Sequence, residues 1–187
     1  MEIIIEILNQ FTSLSEQAKK EFINRVTQQE VKKGTILLEQ DQTCNQLYFI
    51  EKGFVRGFYY QDGKEITSWF GFENDIITSI YSFVVQKPGF ESIEILENSV
   101  LYAISYKNLQ ELYQHQPEFN LIGRLFIEKY YIELMERTLS LQFRSAKERY
   151  CQLIAHKPQL LQRASLGHIA SYLGISQETL SRIRSHF

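Results

Sequence analysis

Two cysteines in 187 residues, Cys44 and Cys151, lie far apart and outside any C-x-x-C or other metal-ligand spacing. That scarcity excludes a disulfide framework, a zinc ribbon and a cysteine-ligated iron–sulfur cluster, and it leaves reduced thiols as the default. Proline occurs three times, and there is neither an internal repeat nor a low-complexity linker. No apolar run approaches the roughly 20 residues of a membrane span. The opening Met1-Glu-Ile-Ile-Ile-Glu-Ile-Leu carries acids where a signal peptide carries bases. The expectation is a soluble, cytoplasmic protein with no membrane partner. With 44% hydrophobic and 22% charged residues, no region is polar enough to read as disordered, and the chain has ample material for a core.

A surplus of charge is also missing: the formal net charge is −2, which argues against a nucleic-acid binder held by bulk positive charge. The whole-chain figure conceals an asymmetry. From Arg144 onward seven Lys and Arg face two acids, a balance of +5, while residues 1–143 hold 13 bases against 20 acids, a balance of −7. An acidic body with a basic C-terminal segment points to a nucleic-acid module at the C-terminus.

The first thirty residues read as helical, with Ser13 and Glu16 at capping-box spacing before an apolar stripe of Ala18, Phe22, Ile23 and Val26. From about Lys32 glycines recur at 34, 53, 57, 63, 71 and 89. Between them lie β-rich runs at 35–38, 46–50, 54–60, 65–70, 92–96 and 99–104. Short strands at turn spacing predict a barrel or sandwich, with Gln61-Asp62-Gly63-Lys64 its clearest hairpin turn. After Ser105 the period becomes helical, first through Leu109 and Leu112, then from Pro117 to about Phe143. This long stretch carries two apolar stripes, Leu121/Leu125/Ile132/Met135/Leu139 and Phe119/Ile122/Phe126/Tyr130/Leu134/Leu141. They are too wide for a surface helix with one buried face. One stripe is expected to pack on the barrel and the other to form a dimer seam, the alternative being burial within the monomer. Residues 144–187 hold three short helical segments, the first ending near Lys157-Pro158 and the others separated at Gly174.

The stretch Gly167–Arg184 is the most informative. Two helices meeting at a tight turn need a small residue at their contact, a glycine where φ turns positive, and apolar residues on the facing sides. Ala170 and Gly174 fill the first two roles, Ile169, Leu173, Ile175, Leu180 and Ile183 the third, and Ser176 is a suitable N-cap. The pattern predicts a helix-turn-helix, against a generic helical hairpin. Gln177, Glu178, Ser181 and Arg182 then project from the exposed side of the second helix, which in such motifs enters the major groove. Arg182 is a candidate for guanine O6/N7, Glu178 for cytosine N4 or for orienting Arg182, and Gln177 for adenine or phosphate. Thr179, Arg184, Arg163 and Lys157 are better phosphate contacts than base readers. The alternative for each is a solvated polar face.

Together the run Lys33-Gly34, Gln46-Leu-Tyr-Phe-Ile-Glu-Lys-Gly53, Asp62-Gly-Lys-Glu-Ile66, Asn74-Asp75, Ile104-Ser-Tyr-Lys, Pro117, the long helix and the terminal helix pair resembles the Crp/Fnr transcription regulators over essentially the whole chain. Ser176-Gln-Glu-Thr-Leu-Ser-Arg182 is similar to that family's recognition helix, with Glu178 and Arg182 on its base-reading glutamate and arginine. Gln177 stands where many members have arginine, a departure that bears on which DNA site is read. The resemblance implies an α+β fold: a cyclic-nucleotide-binding double-stranded β-helix (β-roll) over residues 1–115, a dimerisation helix over 116–143, and a small all-α helix-turn-helix domain over 144–187. With the recognition helix ending so near Phe187, that domain is expected without a wing.

A cyclic phosphate needs a glycine turn offering backbone N–H groups and an arginine to neutralise it. The family's Gly-Glu and Arg-Ser/Thr-Ala positions align here with Thr78-Ser79 and Glu91-Ser92-Ile93. A carboxylate replaces the guanidinium, so a bound phosphate faces repulsion, and no binding of cyclic AMP in the usual manner is expected. The four histidines, His115, His156, His168 and His186, lie outside the barrel, which disfavours a metal enzyme or a haem sensor. Cys44 is either a redox-active thiol in a turn or one with no special role, and the barrel aromatics are either an apolar effector pocket or core. The sequence therefore points to a homodimeric regulator of double-stranded DNA, with a small-molecule effector, no catalytic residues, no metal and no cofactor. The alternative is a ligand-binding signalling module whose helix-turn-helix is vestigial or binds protein.

Overall fold

The computed structural model describes residues 2–185; His186 lies outside the described residues. Two compact units emerge, one of Met1–Gly57 with Phe70–Lys129 and one of Phe58–Trp69 with Tyr130–Phe187.

The first unit opens on helices α1 (Glu2–Asn9) and α2 (Glu16–Ile23). The cap of α2 is Ser15 rather than Ser13: its hydroxyl accepts from the Ala18 N–H at 3.3 Å. With the cap there, the third helical position is Ala18, which has no carboxylate to close a capping box. Glu118 supplies one instead, accepting the Ser15 N–H at 2.8 Å. The helical reading of the first thirty residues also ends early. Val26 begins strand β1 (Val26–Val31), which pairs antiparallel with β8 (Ser99–Ser105) from Val26↔Ile104 to Val31↔Ser99. Pairing with a strand whose side chains are buried almost throughout overrides the local helical pattern.

The remaining strands are β2 (Ile36–Leu38), β3 (Gln46–Lys52), β4 (Val55–Gln61), β5 (Lys64–Gly71), β6 (Ile76–Ile77) and β7 (Ser92–Ile95). They form two four-stranded sheets, in the orders β1-β8-β3-β6 and β2-β7-β4-β5. Six of the eight strands coincide with the β-rich runs; β1, β6 and the short helix α3 (Ile80–Val85) were not anticipated. The β4–β5 turn has positive φ at both Asp62 (52°) and Gly63 (72°), the signature of the hairpin turn that matches strand twist. Gly53, at φ +121°, is required sterically as well, because a Cβ there would stand 2.0 Å from Ser99 Oγ.

Aromatic stacking closes this unit's core. Phe22 meets Phe49 edge-on at 5.4 Å and stacks on Phe119 at 5.5 Å, while Phe54 stacks on Phe72 at 5.0 Å and on Phe70 at 5.5 Å. Phe119 belongs to α5 (Pro117–Phe143), which follows α4 (Tyr106–His115) and starts on a proline whose fixed φ suits the first helical position. Only Phe119 and Ile122 of its 27 residues are buried.

The second unit contains the later part of α5, then α6 (Ala146–His156), α7 (Leu160–Arg163), α8 (Leu166–Tyr172) and α9 (Gln177–Arg184). Among the described residues four helices thus follow Arg144 where three were expected, since Pro158 separates α6 from the single turn of α7. A complete capping box between Ser145 and Glu148 starts α6. Tyr150, Leu153, Leu160, Ile169, Ala170, Leu173 and Leu180 form the core. Along α5, Tyr131, Ile132, Leu134, Met135, Leu139 and Leu141 remain exposed. No helix among the described residues is long and apolar enough to cross a membrane.

Phe119→Ala removes one face of the Phe22 stack and leaves a void. It is expected to cost about 3–5 kcal/mol, read as a lowered urea midpoint with an unchanged slope.

Candidate functional site

Helices α8 and α9 join through Gly174 at φ +65°, with the Ile175 N–H donating to the Ala170 carbonyl at 3.0 Å. Ile169, Ala170, Leu173 and Leu180 are buried between them, and Ile175 and Ile183 half-buried. Glycine at 174 serves a second purpose, because a Cβ would stand 3.3 Å from Leu141 Cδ2. Ser176 caps α9, its hydroxyl accepting from the Thr179 N–H at 3.2 Å.

With that register Gln177, Glu178, Ser181, Arg182 and Arg184 are exposed and Thr179 is half-buried. The Thr179 hydroxyl oxygen accepts from the Arg182 guanidinium at 3.3 Å and from the Ser176 hydroxyl at 3.2 Å. Thr179, expected as a phosphate contact, here holds Arg182 against the first turn of the helix. Hydrogen bonds from its own backbone N–H and from the Ser176 side chain, with the Arg182 charge adding, hold the Glu178 carboxyl below its ordinary range. The face therefore presents an ionised carboxylate beside a guanidinium. Lys157 and Arg163 are half-buried, at the ends of α6 and α7.

The outer half of the β4–β5 hairpin belongs to this same unit. The Thr67 N–H donates to Ser171 Oγ at 2.9 Å, and that hydroxyl donates to the Glu65 carbonyl at 3.1 Å. Arg137 of α5 donates to the Tyr172 carbonyl at 2.9 Å and to the Thr67 carbonyl at 3.4 Å, with its guanidinium 4.1 Å from the centre of the Tyr172 ring. Sequence reasoning missed this junction. Its one local sign is an arginine set among the apolar residues of the long helix, beside Leu134, Met135 and Leu139.

In the first unit, Thr78, Ser79, Glu91 and Ser92 are all buried, and the structure brings Ser79 and Glu91 together. Ser79 precedes α3 but makes no side-chain cap; its hydroxyl donates to the Glu91 carboxylate at 3.1 Å. The Thr78 hydroxyl donates to the Gln46 carbonyl at 2.9 Å, and Ser92 Oγ accepts from the Gln40 N–H at 2.9 Å. Each of the four thus has a partner within the protein. Arg56, which sequence reasoning passed over, is 3% exposed and bonds the Glu94 carboxylate through Nε at 2.7 Å and Nη2 at 2.5 Å.

Cys44 lies in an irregular segment, 2% exposed, with its thiol 3.2 Å from Thr78 Oγ1 and donating to the Gln46 carbonyl at 3.3 Å. Burial, then the neighbouring Cys44, pushes the Tyr48 hydroxyl up to about 12. His115, His156 and His168 sit on α4, α6 and α8. Among the described residues no cluster of three His, Cys, Asp or Glu side chains could hold a metal ion.

Residues 28–116 match the cyclic nucleotide-binding domain family. No curated protein sequence matches the chain. Among solved structures, the chain is similar to the c-di-GMP responsive global regulator CLP of Xanthomonas campestris, at 15% identity and TM-score 0.71, covering 92% of this chain and 91% of that one. It is similar to a Crp/Fnr-family protein from Eubacterium rectale at 21% identity and TM-score 0.72, covering 93% and 83%. It also resembles the catabolite activator protein of Thermus thermophilus at 20% identity and TM-score 0.60, covering 96% and 85%. At these identities what is shared is the fold, a cyclic nucleotide-binding roll followed by a long helix.

Ser176→Ala removes the cap of α9 and is expected to lower stability by about 1 kcal/mol, measured by denaturant unfolding. Glu178 sets the sign of an acid dependence. Its lowered carboxyl pKa means its contribution is present above the ordinary carboxylate range and is lost as pH falls through the lowered value. Titrating the Glu178 side chain by NMR checks this; a midpoint at or above the ordinary glutamate value would contradict it.

Proposed function

We propose that this chain is a transcription regulator of the Crp/Fnr type that binds double-stranded DNA as a homodimer and carries no catalytic site. The observation that carries the reading is the exposed α9 face, where Arg182, Glu178, Gln177 and Ser181 project from a capped helix inside a segment of balance +5. A guanidinium beside a carboxylate matches guanine acceptors and the cytosine donor of a major groove. In this reading Thr179 and Arg184 contact phosphate, while the Ser176 and Thr179 hydroxyls hold the helix start and Arg182 in register.

In this reading residues 1–115 sense, 116–143 dimerise and 144–187 contact DNA. The exposed apolar residues of α5, Ile132, Met135 and Leu139 among them, supply a seam in which two copies bury what one leaves in water. Two-fold symmetry then sets the recognition helices about 34 Å apart, on successive major grooves of a palindromic site.

The roll is proposed to respond to a small molecule other than cyclic AMP bound in the usual manner. Supporting this, Glu91 aligns with the position of the family's phosphate-pairing arginine and accepts from Ser79, and Arg56 is engaged by Glu94. Calorimetric titration with cyclic AMP is expected to give no saturable heat; micromolar affinity would overturn that part.

DNA selected from a random double-stranded pool is expected to be palindromic. Its affinity should fall with salt at a log–log slope of about 0.9 per neutralised phosphate. Arg182→Ala is expected to cost about 1–3 kcal/mol and to relax selectivity at one symmetric base pair. Unchanged affinity and selectivity in that variant would remove the recognition assignment. Met135→Glu is expected to shift the solution mass toward the monomer and to weaken DNA binding with it.

A further inference from the structure

A cavity of about 480 Å³ opens in the first unit between α3, α4 and the first turns of α5. Its walls are apolar: Phe83 and Val84 from α3, Leu109 from α4, Phe126 and Ile127 from α5, and Leu47 from β3. The volume falls in the range of small-molecule sites. None of Thr78, Ser79, Glu91 or Ser92 lines it, so it is separate from the positions aligned with phosphate binding.

The polar lining gathers around Tyr113. Asn120 donates its side-chain amide to the Tyr113 carbonyl at 2.6 Å. At Gly123, one residue before Arg124, a Cβ would stand 2.7 Å from the Tyr113 hydroxyl oxygen, so the absence of a side chain there lets the phenol lie against α5. That hydroxyl makes no hydrogen bond to another described residue. Burial raises its pKa, which keeps it a donor at neutral pH. Arg124 is the cation of the lining. Its present partner is Glu128 at 2.6 Å, an i,i+4 pair with side chains 59% and 52% exposed, and such pairs are weak enough to exchange for a better-placed carboxylate.

Apolar walls beside a guanidinium and an unengaged phenol call for a ligand with an apolar body and a single anionic head. We propose that this cavity binds a small amphiphilic monocarboxylate, its chain among Phe83, Leu109 and Phe126 and its carboxylate on Arg124 and the Tyr113 hydroxyl. This goes beyond the DNA-binding reading and does not rest on it.

The test is calorimetry and thermal unfolding of the full chain with sodium decanoate, and with decanol as the uncharged counterpart. Decanoate is expected to bind saturably and to raise the unfolding midpoint, as binding to the folded state alone requires. Arg124→Gln is expected to weaken decanoate about tenfold and leave decanol unchanged, since only the carboxylate uses the guanidinium. Val84→Trp on α3 and Ile127→Trp on α5 add bulk to the lining from two helices, at positions 59% and 42% exposed, and each is expected to abolish binding of both amphiphiles. Lack of saturable binding, or binding that these variants leave intact, overturns the site; decanol binding as tightly as decanoate overturns the anionic head.

Discussion

An edge strand exposes a row of N–H and C=O groups that must find partners, and the way β5 meets that demand organises the second unit. Its Thr67 and Glu65 backbone groups bond to side chains of α8 and α5 in place of a further strand. Ser171 serves as acceptor and donor at once, and Arg137 spends one arm on the strand and another on the Tyr172 carbonyl. A second guanidinium, that of Arg149, takes the Leu173 carbonyl at 3.0 Å. Carbonyls at the end of a helix have no partner within it. Here arginines from two other helices meet them, and α9 is launched from a fixed end.

The first unit solves a different problem of buried charge. A carboxylate away from water is tolerated only when hydrogen-bonded or paired. Glu91 is bonded by Ser79, and Glu94 by two nitrogens of Arg56. An acidic body of balance −7 thus brings acids into the roll. The buried guanidinium of Arg56 is committed to one carboxylate and the Ser79 hydroxyl to another. The cavity beside α3 keeps its cation on α5 instead, outside the roll.

Much of this was legible in the residues. Glycine spacing and β-rich runs located six strands, and the long helix runs from Pro117 to Phe143 where the helical period was read. Ala170, Gly174 and Ser176 occupy the contact, turn and cap positions that their chemistry suggested, because these are local demands that a few residue types satisfy. What escaped depends on distant partners. Val-Thr-Gln-Gln-Glu-Val becomes a strand only because β8 lies beside it, Ile76-Ile77 is too short to carry a period, and Ser15 outranks Ser13 through a carboxylate from α5. The union of the β4–β5 hairpin with α8 and α5 leaves no periodic trace, since its backbone groups meet one polar side chain from each helix, Ser171 and Arg137.

The contact between Ser15 and Glu118 spans 103 positions in the chain, and it bears on the order in which the molecule assembles. A box closed within one turn is available as soon as that turn forms; this one waits until the chain has brought α5 back to α2. Closing so long a loop carries an entropic charge that local contacts avoid. Helix α2, eight residues long, is too short to persist alone, so its stability is tied to the docking of α5.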